Sequence, residues 1–198
     1  MKILSPLHAE SRVSWLADTA SACLIDEARL SPKPGLVDSR GSGAHQDLTL
    51  ALMERSARSL QPTFHALAQQ SWRRPADIAL RETVGRLGRE GEAQMMQATG
   101  GVNTHRGAIW ALGLLVSAVA MLGGAGHSQA IADTAAALAR LPDGLAPKSF
   151  SKGLRASRRW QVPGARRGAA RFPAYHRPGA AAVTAKPRPG RQRAAGAT

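Results

Sequence analysis

The chain has 198 residues, which is enough for one domain with its own core or for a domain followed by a tail. Aromatic residues make up only 4% of the sequence, and abundant alanine and leucine favour helices over sheets. Because Cys23 is the single cysteine, a disulfide framework and a thiolate metal cluster are excluded. Residues 1–13 lack the continuous apolar core of a secretory signal, so we expect a cytoplasmic protein.

The formal net charge of +14 would ordinarily indicate a nucleic-acid or anionic-surface partner, but the charge lies at one end of the chain. Residues 1–147 contain 14 basic and 13 acidic side chains, a net charge of +1. Residues 148–198 contain 13 basic side chains and no acidic one, a net charge of +13. The body of the chain is therefore nearly neutral, and we do not expect a nucleic acid as its partner.

Apolar spacing predicts an all-α protein, because no segment keeps the period of two that a strand requires. Six helices are predicted, over residues 15–30, 46–59, 62–70, 78–97, 104–122 and 128–141. Ser14 is the predicted N-cap of the first helix, whose predicted apolar stripe includes Trp15 and Cys23. The longest apolar run, residues 112–124, is too short to span a membrane and is expected to be a buried core helix.

A stiff turn, Pro32-Lys33-Pro34-Gly35, follows the first predicted helix. It holds Lys33 with little backbone freedom, in a position to meet a phosphate as a point charge. Downstream, Asp38, His45 and Asp47 offer oxygen and imidazole groups that can bind a divalent cation or orient a hydroxyl. The structural alternative is that Asp47 complements a helix dipole, His45 is a loop residue and Lys33 is solvated.

The elbow, residues 99–107, is the most informative segment of the sequence: Thr-Gly-Gly-Val-Asn-Thr-His-Arg-Gly between two predicted helices. Polar loops on a helical scaffold often carry function. Glu92 lies two helical turns before Thr99 on the same face, so its carboxylate can join the elbow side chains around one ligand. The structural alternative is that the glycine pair ends one helix while Asn103 or Thr104 caps the next. An oxygen-rich site with few imidazoles suits Mg²⁺ better than zinc.

Two motifs carry a family resemblance. The first is E-x5-K-P-G-L-V-D followed by G-A-H-x-D, within residues 27–47, and the second is E-x-x-M-x-x-x-T-G-G-V-N-T-H-R-G, residues 92–107. Together they resemble the triphosphoribosyl-dephospho-coenzyme A synthases, over about residues 14–166. The resemblance implies an all-helical enzyme that joins ATP to 3'-dephospho-coenzyme A, releases adenine and forms 2'-(5''-triphosphoribosyl)-3'-dephospho-coenzyme A. This product is the precursor of the prosthetic group of malonate decarboxylase and citrate lyase.

The resemblance also implies roles for individual residues. A ribose hydroxyl would attack the anomeric carbon of ATP through an oxocarbenium-like state, as in glycosyl transfer generally. The implied catalytic residues are Glu92, Asp47 and His105, and the sequence does not decide which carboxylate is the base. The implied substrate-binding residues are Lys33, Gly35, His45, Thr99, Asn103, Thr104, Arg106 and Arg166. Mg²⁺ is expected on Asp38, Asp47 or Glu92.

The implied partners are ATP, 3'-dephospho-coenzyme A and a transferase that passes the product to an acyl carrier protein. The malonate decarboxylase system is preferred over citrate lyase on general resemblance. Two alternatives stay open. One is a Mg²⁺-dependent hydrolase of related helical fold that attacks a ribosyl bond with water, and the other is an inactive, truncated product with a polyanion-binding tail.

The sequence departs from the family pattern after Arg166, where a Gly-Glu-Ala and a Gly-Phe-Pro are expected and the glutamate is missing. The remainder is rich in arginine, alanine, proline and glycine, without apolar periodicity. We interpret it as the product of a shifted reading frame in a GC-rich gene, the alternative being a genuine basic tail. The predicted organisation is an incomplete helical domain over residues 1–166 and a disordered basic tail over residues 167–198.

Overall fold

The computed structural model describes residues 6–146, and these residues form six helices without a strand. The helices are α1 (Pro6–Arg29), α2 (Leu50–Ser59), α3 (Gln61–Ser71), α4 (Ile78–Ala98), α5 (Arg106–Met121) and α6 (Ser128–Arg140). The predicted all-α class is confirmed. None of these helices is both long and apolar enough to cross a membrane.

The first helix differs most from its prediction. It begins at Pro6, so Ser14 lies inside the helix and is not the N-cap. Trp15 is 61% exposed and Cys23 is also exposed, so both were wrongly placed on the apolar stripe. A helix buries only one stripe, and in α1 that stripe is Val13, Leu16, Ala17, Ala20, Leu24 and Ala28.

The second helix begins later than predicted because a threonine fixes its start. The Thr49 hydroxyl accepts a hydrogen bond from the Leu52 N–H at 3.2 Å, which makes Thr49 the N-cap. Asp47 therefore lies two residues before the cap, in the loop, and is not an acid of the first helical turn.

The short helix α3 lies at the centre of the bundle, where it packs against α1, α4 and α5, while α6 packs against α5. The largest fully buried apolar side chains come from the end of α2 and from α3 to α6: Leu60, Phe64, Leu67, Leu80, Met95, Leu114 and Leu138. Each contributes roughly 1.5–3 kcal/mol by leaving water. The predicted burial of the apolar run in α5 is confirmed.

Helix α2 connects the two segments that the sequence singles out. Near its start, Glu54 forms an ion pair with Arg29 at the end of α1, with an N–O distance of 2.6 Å. Two residues later, Ser56 is fully buried and its hydroxyl contacts Thr104 and His105 of the elbow. The end of α1 and the elbow after α4 are therefore both anchored to the same short helix.

Candidate active site

Lys33 is fixed against the end of α1 and is not the solvated side chain of the structural alternative. Its ammonium group donates to the Glu27 carbonyl oxygen at 2.7 Å and to the Glu27 carboxylate at 3.1 Å. Only 11% of the Lys33 side chain is exposed. Gly35 makes the turn with φ of +76°, a conformation that side chains rarely adopt. Together with Asp38, these two residues line a depression of about 240 Å³, called here the Lys33 depression.

Asp38 is buried and organises the loop around Lys33. Its carboxylate accepts hydrogen bonds from the Ser31 hydroxyl, from the Lys33 backbone N–H at 2.9 Å, and from the backbone N–H and guanidinium of Arg40. These donors, Arg40 first, hold the pKa of Asp38 well below its usual range. In this arrangement the carboxylate is bound to the protein itself, and the predicted metal-binding role of Asp38 stays a prediction.

His45 and Asp47 follow on the same loop. His45 is half-buried, and its backbone N–H donates to the Ser42 carbonyl at 3.0 Å. Asp47 is exposed. Neither residue lines the Lys33 depression, so their predicted roles in binding and catalysis stay predictions.

The first half of the elbow ends helix α4. The Thr99 hydroxyl is turned inward, within 2.8 Å of the Met95 carbonyl oxygen and 2.6 Å of the Val102 carbonyl oxygen. Gly100 and Gly101 follow with φ of +66° and +90°, which stops the helix. The glycine pair thus has the structural role of a helix C-terminus, and substrate binding by the buried Thr99 stays a prediction.

The second half of the elbow starts helix α5. The Asn103 side-chain oxygen accepts from the Arg106 backbone N–H at 3.3 Å. The N-cap position of α5 is His105, whose side chain makes no capping hydrogen bond, so neither Asn103 nor Thr104 is the N-cap of the structural alternative. The Asn103 residue is exposed, which leaves its amide nitrogen able to meet a ligand.

His105 lies buried behind the elbow. Its Nδ1 atom is 2.8 Å from the Ser56 hydroxyl oxygen, which in turn is 2.5 Å from the Thr104 hydroxyl oxygen. Burial lowers the pKa of His105, while the negative charge of Glu27 acts in the opposite direction. Glu27, which also binds Lys33, is thus near enough to His105 to influence its pKa. This geometry suits a residue that positions the elbow.

A larger cavity of about 270 Å³ lies between α4 and α5, and we call it the α4–α5 cavity. At the elbow end, Glu92 forms an ion pair with Arg106, and their side chains are 30% and 55% exposed. The cavity walls are apolar side chains and helical glycines: Leu67, Val84, Ile109, Leu114, Gly85, Gly88 and Gly113. The structure thus brings Glu92 and Arg106 together at a cavity, and it places Lys33, Gly35 and Asp38 at a separate depression.

Four further cavity residues, Arg81, Arg89, Trp110 and Asp143, were missed by the sequence reasoning. Arg81 and Arg89 share the Asp143 carboxylate, and the Arg81 guanidinium lies 5.0 Å from the centre of the Trp110 ring. A sequence signal existed, since glycine inside a helix costs about 1 kcal/mol relative to alanine. The segment R-x3-G-x2-G-R, residues 81–89, keeps two such glycines between two arginines.

The three carboxylates predicted to hold Mg²⁺ do not meet. Asp38 is bonded to the protein itself, Glu92 is paired with Arg106, and Asp47 is exposed on the loop. Within residues 6–146, no three histidine, cysteine or acidic side chains lie close enough to hold a metal ion together. The residues present do not fit a protein-built Mg²⁺ site, and no reaction step below is assigned to the metal.

Comparison with known proteins places these features in a family. The family model for CitG, the ATP:dephospho-CoA triphosphoribosyl transferase, matches residues 13–187. The chain belongs to this family. It is 94% identical over 166 residues to the 2-(5''-triphosphoribosyl)-3'-dephosphocoenzyme-A synthase of Klebsiella pneumoniae, covering 84% of this chain and 59% of that protein. It is 57% identical over 169 residues to the probable synthase of Stutzerimonas stutzeri, covering 84% of this chain and 58% of that protein.

The chain therefore spans less than two thirds of the length of these transferase relatives. No solved structure matches the chain. The family match extends to residue 187 and so includes Arg166. The residues that the structure describes do not include Arg166, the predicted boundary at residues 166–167 or the predicted basic tail.

Proposed function

We propose that this chain carries the synthase chemistry of its relatives, joining ATP to 3'-dephospho-coenzyme A with release of adenine. The observation that carries the proposal is the 94% identity to the Klebsiella pneumoniae synthase over 84% of the chain. The α4–α5 cavity supports it, because the Glu92–Arg106 ion pair lies at the elbow end of a cavity that combines apolar walls with the charged side chains Arg81, Arg89 and Asp143.

The reaction makes one bond and breaks one. A ribose hydroxyl oxygen of dephospho-coenzyme A bonds to the anomeric carbon of ATP, while the bond from that carbon to the adenine nitrogen breaks. The hydroxyl proton goes to a carboxylate of the enzyme and is passed on to the adenine nitrogen that carried the ribose, so adenine leaves neutral and the carboxylate is regenerated. Positive charge develops on the ribose in the transition state, so a nearby carboxylate also stabilises that state.

Glu92 is the carboxylate that we assign as the base. It lines the α4–α5 cavity, its side chain is partly exposed, and Arg106 holds it in place. Asp47, the alternative, is exposed on the loop before α2 and lines neither the cavity nor the Lys33 depression. Arg106 is more than half exposed, so its guanidinium is able to neutralise phosphate charge while remaining near Glu92.

The other predicted residues are assigned by their surroundings. Lys33 and Gly35 line the Lys33 depression, where the lysine supplies positive charge to a phosphate of either substrate. Asn103 offers its exposed amide to a base or ribose. Thr104 and His105 hold the elbow against Ser56, so we propose that they position Asn103 and Arg106.

The use of the product in the cell and the location of the protein are also proposals. We propose that the product serves malonate decarboxylase in preference to citrate lyase, that a separate transferase passes it to an acyl carrier protein, and that the protein is cytoplasmic. Mg²⁺ stays a prediction: carried by the triphosphate it would neutralise phosphate charge, and no residue of this chain is assigned to hold it.

The proposal is tested by measuring adenine release from ATP by the full chain, with and without dephospho-coenzyme A. We expect release that depends on dephospho-coenzyme A and falls at least 100-fold in Glu92→Gln, since general base catalysis contributes about 10²–10⁴-fold. Glu90→Gln is the matched control, because Glu90 is exposed on the same helix and pairs with Arg86. Release without dephospho-coenzyme A would favour the hydrolase alternative. Release unaffected by Glu92→Gln would remove Glu92 as the base.

A further inference from the structure

Two arginines of α4 converge on one carboxylate oxygen deep in the α4–α5 cavity. The Arg89 guanidinium lies 2.8 Å from Asp143 Oδ2, and the Arg81 guanidinium lies 3.4 Å from the same atom. The Arg81 and Asp143 side chains are only 10% and 5% exposed, whereas that of Arg89 is 32% exposed. Two positive charges thus face one negative charge in a poorly solvated place, which leaves a net positive charge there.

The arginines have more hydrogen-bonding capacity than Asp143 uses. Arg81 is 8% exposed as a residue, and its Nε–H is buried without a hydrogen-bond partner among residues 6–146. A buried donor of this kind destabilises the folded protein unless a partner arrives. A phosphate, with three or more acceptor oxygens, matches the planar donor fork of arginine better than a single carboxylate oxygen does.

The helix is shaped to let an anionic oxygen come close. A Cβ built on Gly85 would lie 2.1 Å from Asp143 Oδ2, so only glycine leaves room for that oxygen against α4. Gly88, one turn along, has open space around it except for Ile109 at 3.9 Å. The glycines cost helix stability, which is explained if the space that they leave is used by an oxyanion.

The remaining lining favours a nucleotide as the carrier of the anion. Trp110 is 40% exposed and presents its ring to the Arg81 guanidinium. Arg89 lies one helical turn, about 4.5 Å of rise, before Glu92. An anion held by Arg81 and Arg89 would therefore lie beside the carboxylate that we assign as the base.

We propose that Arg81 and Arg89 form a phosphate-binding site, and that the Asp143 carboxylate occupies the place of a phosphate in the ligand-free protein. Binding then requires the segment after α6 that carries Asp143 to move away. The identity of the phosphate carrier rests on the proposed function: it is the triphosphate of ATP or the pyrophosphate of dephospho-coenzyme A. The arginine site itself does not depend on that function.

The test measures binding by calorimetry to the full chain, with ATP, dephospho-coenzyme A, tripolyphosphate and adenosine as separate probes. Asp143→Asn removes the competing charge, so we expect it to tighten binding of a phosphate-bearing probe at least fivefold. Arg89→Gln should weaken the same binding about tenfold or more, and adenosine should respond to neither change. Arg86→Gln is the matched control, because Arg86 is exposed on α4 and pairs with Glu90.

The expected effect of Asp143→Asn is a gain of affinity, which a poorly folded variant would not produce. Arg81 is tested in the same way with Arg81→Gln. If that variant does not fold, Arg81→Lys replaces it, because lysine keeps the positive charge but lacks the planar donor fork of the guanidinium. Arg81→Lys should bind tripolyphosphate more weakly than the native chain. Changes with ATP and not dephospho-coenzyme A would identify the triphosphate as the ligand, and the reverse would identify the pyrophosphate.

The two hypotheses fail separately. If Asp143→Asn and Arg89→Gln leave the affinity for every phosphate probe unchanged, the arginine site is overturned, even if adenine release continues. The arginine site is also overturned if no phosphate probe binds the native chain or either variant. If tripolyphosphate binds with the expected dependence on Arg89 while no adenine is released, the site stands and the proposed synthase activity fails.

Discussion

At the scale of single residues, Asp38 should make the stability of the protein sensitive to acid. Its pKa in the folded chain is lowered by Arg40, Lys33 and Ser31, so the ionised form stabilises the fold at pH values above the unfolded pKa of about 4. That stabilisation is lost as the pH falls below this value. We expect the free energy of unfolding to fall more steeply between pH 5 and 3 in the native chain than in Asp38→Asn, measured by urea unfolding. Asp133→Asn, an exposed acid on α6, should keep the native slope.

His105 should make the stability of the protein depend on pH in a higher range than Asp38 does. Burial lowers its pKa below the unfolded value of about 6.5, so the unfolded chain takes up a proton first as the pH falls. Stability from the neutral imidazole is therefore present above about pH 6.5 and is lost below it. In His105→Asn, which keeps a hydrogen-bonding atom near Ser56, the melting temperature should vary less between pH 7.5 and 5.5 than in the native chain. His127→Asn is the control, because the exposed His127 caps α6 and asparagine is also a good cap. An equal pH dependence in His105→Asn would contradict the assignment.

The side chains of the candidate site show where sequence reasoning reaches its limit. The motif spacing pointed to Glu92 and Arg106, which do meet at a cavity. It did not indicate that the Thr99 hydroxyl faces inward or that Asp38 is bound by Arg40, because side-chain direction depends on tertiary packing. Asp143 is beyond the reach of spacing altogether, since it meets Arg89 from 54 residues away in the sequence.

At the scale of elements, the contact between α3 and α4 depends on a glycine. A Cβ on Gly91 would lie 2.5 Å from Cγ2 of Thr63, so Gly91→Ala should overpack this contact and lower the free energy of unfolding by about 1–3 kcal/mol. Gly107 in the first turn of α5 has no neighbour within 4 Å, so Gly107→Ala should raise it by about 0.4–1 kcal/mol. Chemical denaturation of both variants checks the pair. Equal effects would show that helix propensity, and not packing, controls both positions.

Helix boundaries were predictable where a local signal sets them. Asp77 accepts a hydrogen bond from the Leu80 N–H at 2.7 Å, and α4 begins at Ile78 as predicted. The end of α4 agrees within one residue, since the glycine pair marks it. The start of α1 at Pro6 was missed, because Ser14 resembles an N-cap locally while the helix continues through it. The turn before Ser14 is held by polar tertiary contacts that the local sequence does not reveal: the Arg12 guanidinium donates to the Gly124 carbonyl oxygen at 3.0 Å, and a Glu10 carboxylate oxygen lies 3.1 Å from His65 Nε2.

At the scale of the whole molecule, charge and catalytic chemistry lie in different parts of the sequence. All site residues predicted from the sequence, except Arg166, fall within residues 33–106, inside the nearly neutral body. Trp110 and Asp143 of the α4–α5 cavity also lie in that body, while residues 148–198 hold almost all of the net charge. Binding to a generic polyanion and binding to a nucleotide should therefore be separable in one and the same full-length chain.

We expect the native chain to bind duplex DNA with a steep dependence on salt, because the charge of +13 in residues 148–198 displaces counterions from phosphates. If six or more phosphates are neutralised, affinity should fall about 10³-fold or more between 50 and 200 mM salt. Replacing the 13 basic residues of this segment by glutamine should abolish that dependence, whereas replacing exposed Arg58 and Arg86 should not. ATP affinity should stay unchanged in the neutralised chain, since the proposed phosphate ligands lie on α4 and α5 and in the Lys33 loop. DNA binding that survives neutralisation would instead place a polyanion surface on the helical body.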